Sequence, residues 1–345
     1  MTQLLLYGLV AIVATLVVYK GSDLLESSAE RLALHYRLPP VVSGAVVVAV
    51  GSSMPELAAT VLSTVLHGQF ELGVSAIVGS AIFNILVIPG ASGLVAKQKL
   101  QANRDLVYKE AQFYMLSVAV LMITFAFATI YNPVPTPAAD GTIRGIVDRK
   151  LAIIPIAMYG LYLFVQWQDV MESDTPASAE RIAPGREWLR LLLGLVLIVA
   201  AVEGLVRAAL VYGEVLGVPS FLWGITIIAA GTSLPDALVS VRAARRGNTL
   251  TSLANALGSN VFDLLVCIPV GVMIAGRAEI NFSIATPMMA ILTVATLALF
   301  VAMRTSLVVS RREAGLLLFL YAAFIVWVSL ESFGVIDTVR GLPPQ

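Results

Sequence analysis

The sequence predicts an all-α polytopic membrane protein: ten transmembrane helices arranged as two inverted five-helix repeats, with helices 2 and 7 broken. Three observations predict it. Apolar runs long enough to cross a bilayer recur along all 345 residues, and only 13% of the chain is charged, about half the share of a soluble domain. Basic residues are rich in every second loop and sparse in the others. A motif of the first half also returns in the second half at a nearly constant offset.

The spans are expected near 3–20, 41–66, 73–96, 107–130, 150–167, 188–213, 217–241, 250–276, 281–303 and 315–335. Met1 to Tyr19 has no basic residue ahead of its apolar stretch, so it reads as the first span and not as a signal peptide. Two polar, proline-bearing stretches are loops: Tyr131 to Lys150, and Asp169 to Glu187 near the middle of the chain. The second divides the sequence into a repeat at 1–167, a linker at 168–187 and a repeat at 188–345.

Sixteen of the 22 basic residues follow spans 1, 3, 5, 7 and 9, and six lie on the other side. Those odd loops are then cytoplasmic, the linker included, and both termini lie outside. The formal charge is zero, which gives no sign of a nucleic-acid partner. The single cysteine, Cys267, excludes an internal disulfide and any thiolate metal cluster. No cofactor and no obligate protein partner are expected, and the bilayer is the partner the composition implies.

Span 2 carries GSSMPEL from Gly51, and span 7 carries GTSLPDA from Gly231. Downstream, VGSAIFN at Val78–Asn84 matches LGSNVFD at Leu257–Asp263. The motif regions are 44–90 and 224–270, and the offset is 180 residues at the first match and 179 at the second. Five spans per half make the second half enter the membrane with opposite polarity. Inverted repeats with helices interrupted at the midplane belong to secondary transporters, and the interruptions mark the substrate site.

Pro55 has no N–H for the carbonyl of Gly51, and Pro235 stands in the same relation to Gly231. Each motif therefore frees carbonyls at mid-membrane, where they are tolerated only inside protein or along a wet cavity. Hydroxyls of Ser52, Ser53, Thr232 and Ser233 stand beside them. Spacings of four put Ser52, Glu56 and Thr60 on one face, and likewise Thr232, Asp236 and Ser240; Ser80 with Asn84; and Asn255, Ser259 and Asp263. Glu56, Asp236, Asp263 and Asn84 are thus placed to meet at one depth.

Three intramembrane acids cost roughly 8–10 kcal/mol together, at about 2.5–3.5 each. Spans 2, 3, 7 and 8 hold no Lys or Arg between their ends, so bound cations or protons must offset that cost. Carboxylate, hydroxyl and carbonyl oxygens suit Ca²⁺ and Na⁺, and the lack of nearby histidine or thiolate argues against zinc, copper or iron. An intramembrane aspartyl protease built on Asp236 and Asp263 is a remote alternative. It leaves Glu56 and the whole first repeat without a role. Glu203 and Arg207 in span 6 read as a structural i,i+4 pair, and His35 and His67 as facing headgroups or water.

With these motifs the sequence resembles the calcium/cation antiporter superfamily, and within it the sodium/calcium exchangers. The resemblance implies alternating access, with Ca²⁺ extruded against entering Na⁺. It implies that Glu56 and Asp236 are the principal Ca²⁺ ligands, helped by the carbonyls of Ser52 and Thr232. Ser53, Ser233, Ser80, Ser259 and the carbonyls of Ala49 and Ala229 would line flanking Na⁺ sites, with Asn84 and Asp263 completing the centre. Asp263 looks more like the potassium-dependent branch and its microbial relatives, which leaves K⁺ co-transport open and makes a prokaryotic cell membrane the expected location. The proton-coupled branch usually has Asn after the motif glycine and Glu in both repeats, and Ser52, Thr232 and Asp236 depart from that.

Overall fold

The computed structural model describes residues 2–36, 49–134, 141–171 and 183–339, and it is nearly all helical. Nine of its helical segments are long and apolar enough to cross a membrane. The expected span 2 is not among them. Its first part lies outside the described residues, and the rest is α2 (Ala49–Ser52) and α3 (Met54–Val65).

Span 1 is α1 (Thr2–His35), 34 residues and not the 18 expected, because the helix continues beyond Lys20. Its partner is α7 (Pro184–Leu216), with 33 residues. The two cross at glycines. A Cβ on Gly194 would stand 2.7 Å from the Gly21 carbonyl oxygen and 2.9 Å from the Leu25 nitrogen. Small residues let the two backbones touch there. With Ala58 and Ala59 of α3, Leu72, Ala76 and Ile228 this pair forms one apolar cluster, separate from the larger core, and α1 also packs on α9 (Ala229–Arg245).

Span 3 is α4 (Phe70–Val95), with 26 residues. It is the most enclosed of the nine, 89% buried over its most apolar stretch, and it packs on α3, α9 and α10 (Thr249–Phe262). Span 4 is a π turn, Leu106–Glu110, followed by α5 (Ala111–Tyr131). Span 5 is α6 (Arg149–Met171). The ends of α6 and α7 each reach a few residues into the expected linker.

The two broken helices differ. In span 2 the break falls at Ser53 (φ −93°, ψ 8°), two residues beyond the expected Gly51. Pro55 is then the second residue of α3, where its missing N–H would have lacked an intrahelical partner anyway. In span 7 the helix runs unbroken through Pro235, which corrects the expected interruption at Gly231. The Thr232 hydroxyl donates to the carbonyls of Ile228 (3.1 Å) and Ala229 (3.3 Å), which ties the turn ahead of the proline together. The irregularity lies earlier, where α8 (Ser220–Trp223) passes through a π turn at Gly224–Ile228. That turn lies tight on α4: a Cβ on Gly79 would clash with Ile225, and one on Gly224 with Ser75 and Leu72.

Span 8 is α10, a π turn at Asp263–Cys267 and α11 (Ile268–Ala275). Spans 9 and 10 are α12 (Phe282–Arg304) and α13 (Arg311–Ser332). A capping box between Ser310 and Glu313 starts α13.

The sequence did not lead us to expect strands, yet two short ribbons are present. β1 (Leu100–Gln101) pairs antiparallel with β4 (Val308–Val309), and β2 (Arg144–Asp148) with β3 (Arg277–Asn281). β1 and β4 lie in the loops after spans 3 and 9; β2 and β3 lie in the loops after spans 4 and 8. Odd loops thus pair with odd and even with even, as they must if spans alternate in direction. A half-turn that exchanges the repeats carries each ribbon onto the other.

Candidate cation site

Glu56 sits in the first turn of α3, Asp236 midway along α9, and Asp263 at the start of its π turn. They are 2%, 3% and 0% exposed, and Asn84 at the middle of α4 is 0% exposed. The expected residues are therefore occluded from solvent. Ser80, one turn ahead of Asn84, donates to Glu56 Oε1 at 3.2 Å and lies 2.6 Å from Ser233 Oγ. Ser233 then donates to Ser80, and one proton chain joins spans 7, 3 and 2.

The Thr232 hydroxyl lies beside Glu56, and Ser259, Asn255 and Asn84 lie beside Asp236. Asp263 stands beside Ser53, and Cys267 Sγ is 3.8 Å from its Oδ1. Thr232 and Ser259 donate their own hydrogens back into their helices, Ser259 to Asn255 O at 3.0 Å. Ser52 is buried. Ala49 opens α2, and the Ala229 carbonyl already accepts from Thr232.

Four buried atoms here have no hydrogen-bond partner: Ser53 Oγ, Glu56 Oε2, Asn84 Oδ1 and Asp263 Oδ2. Buried polar atoms are nearly always paired, so four orphans in one place require a reason. No ion pair among the described residues involves the three acids. The arrangement is an oxygen-lined centre of three acidic side chains with open coordination, fitted to a hard cation.

Among the described residues no three His, Cys, Asp or Glu side chains gather tightly enough to hold one ion among them. The acids are neighbours across the axis, with Ser80 and Ser233 between the repeats, so any cage must draw on amide, hydroxyl and carbonyl oxygens as well.

Sequence reasoning missed three groups. Asn260, fully buried on α10, bonds the side chain of Asn84; its signal was a polar residue in LGSNVFD where the first repeat has Ala81. Glu26 on α1 lies beside Gly51 and within electrostatic reach of Asp236. His67 contacts Glu203 at 3.1 Å, joining the expected Glu203–Arg207 pair, instead of facing headgroups.

Nine membrane-length helices among the described residues, enclosing buried acids and bare oxygens, define a membrane transporter of cations. The chain belongs to the sodium/calcium exchanger protein family, whose model matches residues 6–168 and 186–330. It is 26% identical to the sodium/calcium exchanger MaX1 of Methanosarcina acetivorans over 94% of this chain and 97% of that one. It is 40% identical to human sodium/potassium/calcium exchanger 4 over 102 residues, which are 29% of this chain and 16% of that one. A solved structure of the sodium–calcium exchanger NCX_Mj shares the fold, with a TM-score of 0.63 and 24% identity over 93% of this chain and 98% of that one.

Proposed function

We propose that this protein exchanges Na⁺ for Ca²⁺ by alternating access and normally extrudes Ca²⁺. The observation that carries the reading is the set of bare buried oxygens on Ser53, Glu56, Asn84 and Asp263, with no cationic side chain among the described residues paired to the acids. Glu56 and Asp236 are the principal Ca²⁺ ligands, supported by the carbonyls of Ser52 and Thr232. Ser53, Ser80, Ser233, Ser259 and the carbonyls of Ala49 and Ala229 serve Na⁺ on either side, and Asn84 and Asp263 complete the centre. Two families of sites that share ligands are what exchange requires, because one ion must leave before the other binds well. Sodium as the coupling ion is supported by the name of the relative MaX1. The termini lie outside and the segment between α6 and α7 in the cytoplasm, on the distribution of basic residues.

A second reading adds K⁺ as a co-substrate. The bare Oδ2 of Asp263 favours it, as does the 102-residue similarity to a sodium/potassium/calcium exchanger.

The test is Ca²⁺ uptake into proteoliposomes loaded with Na⁺, against vesicles loaded with choline or carrying a pH gradient, each with and without K⁺. Uptake only from Na⁺-loaded vesicles is the expected result. A K⁺ requirement would select the second reading, and uptake driven by the pH gradient alone would overturn Na⁺ coupling.

A further inference from the structure

We propose that Asn260 is a positioning residue that fixes which end of the Asn84 amide is free to meet a cation, and that the first repeat needs no counterpart because Asp263 needs no orienting. The inference rests on the functional reading above only in taking Asn84 as a cation ligand.

An asparagine side chain has two ends of opposite character. Its oxygen attracts a cation, and its NH₂ repels one. Which end points where is set by the surrounding hydrogen bonds, so the network must be followed to a group whose polarity is fixed. Here that group is the main-chain carbonyl of Ala81, which can only accept. Asn260 Nδ2 donates to it at 3.1 Å, so Asn260 Oδ1 faces the other way. That oxygen accepts from Asn84 Nδ2 at 3.0 Å. Reversing Asn84 would set two oxygens against each other, and reversing both residues would move that clash to the Ala81 carbonyl. The polarity of Asn84 is therefore held from the backbone through Asn260, in the same sense that the Asp236 carboxylate beside the amide favours. The outcome is Asn84 Oδ1 buried and without a partner. All three residues are inaccessible to water, so no solvent molecule competes for the roles.

The comparison of the repeats gives this a second support. Where the second repeat has Asn260 and Asp263, the first has Ala81 and Asn84. An amide ligand has one useful end and must be held. A carboxylate presents two equivalent oxygens and needs no such restraint. The orienting residue faces the amide, and the residue at the equivalent position three before that amide is an alanine whose carbonyl supplies the anchor. The two departures from symmetry, Asn260 against Ala81 and Asp263 against Asn84, are one device.

The test is a double-mutant cycle read by equilibrium binding of ⁴⁵Ca²⁺, and its displacement by Na⁺, to purified protein in detergent. Asn260→Leu should weaken binding of Ca²⁺ or Na⁺ by about tenfold, as expected for one lost or inverted ligand interaction. In an Asn84→Asp background the same substitution should cost less than about twofold, because a carboxylate has no wrong end. An equal loss in both backgrounds would reduce Asn260 to a strut between α4 and α10 and overturn the proposal. So would an undiminished affinity in the single variant. Asn260→Ala, measured in both backgrounds, provides the same comparison should the leucine prevent folding. The ⁴⁵Ca²⁺ binding arm of the cycle does not depend on the coupling ion. A wrong assignment of Na⁺ coupling would show in the vesicle experiment, with the cycle unaffected.

Discussion

Glu56 and Asp236 occupy equivalent places in the two repeats but have different neighbours. Glu56 is held by Ser80, and through it by Ser233; Asp236 is surrounded by Ser259, Asn255 and Asn84. Glu56→Gln and Asp236→Asn keep the volume of each side chain and remove its charge. Each is expected to abolish Ca²⁺ exchange in proteoliposomes, a loss of more than about a hundredfold, while the protein still elutes as a folded species. Retained exchange would mean the ions bind elsewhere. Ser80→Ala removes one hydrogen bond from Glu56 and strands Ser233, and should cost about 1–2 kcal/mol of binding. That corresponds to roughly a five- to thirtyfold rise in the half-saturating Ca²⁺ concentration. The burial of Glu56, Asp236 and Asp263 was legible in the chain because carboxylates inside apolar spans have few other reasons to be there, whereas the roles expected of the hydroxyl and carbonyl ligands came from the resemblance. Asn260 was not read, since a single buried amide has many possible partners, and only the Ala81 carbonyl 179 positions away gives it a direction.

At the scale of elements, the contact of α1 with α7 depends on the absence of side-chain atoms at Gly194. Gly194→Ala would push a methyl into the main chain of α1, with 2.7 Å to the Gly21 oxygen. It should destabilise the protein by about 1–3 kcal/mol, seen as a lower melting temperature in detergent, and should slow exchange. Gly160 on α6 has nothing within 4 Å of an added Cβ, so Gly160→Ala should leave exchange intact and add up to about 1 kcal/mol through helix propensity. Equal effects at both positions would deny the close crossing a special role. Helix existence was legible from hydropathy alone. The length of α1 was not, because Lys20, Asp23, Glu26 and Glu30 end an apolar run without ending a helix. Nor was the continuity of α9 through Pro235, ahead of which the Thr232 hydroxyl bonds back along its own helix.

At the scale of the whole molecule, the two ribbons should face opposite sides of the membrane. Gln101→Cys on β1 and Glu279→Cys on β3 put single thiols on exposed positions, while Cys267 is 0% exposed. A membrane-impermeant maleimide should label Glu279→Cys in right-side-out vesicles and Gln101→Cys only in inverted ones. Labelling of both from one side would contradict the alternation of spans. The ribbons themselves were hidden in the sequence, because strands of two to five residues leave no pattern distinct from a loop.

Each ribbon draws one strand from each repeat, and α1 finds its long partner only in α7. The described parts of the two halves are therefore related as two subunits of a dimer, not as two self-sufficient domains. Expressed as separate polypeptides divided within 172–182, they should meet in the membrane and together restore uptake, while either one alone should fail to accumulate. A five-helix protein able to insert in both directions would have had the same surfaces available to pair with itself.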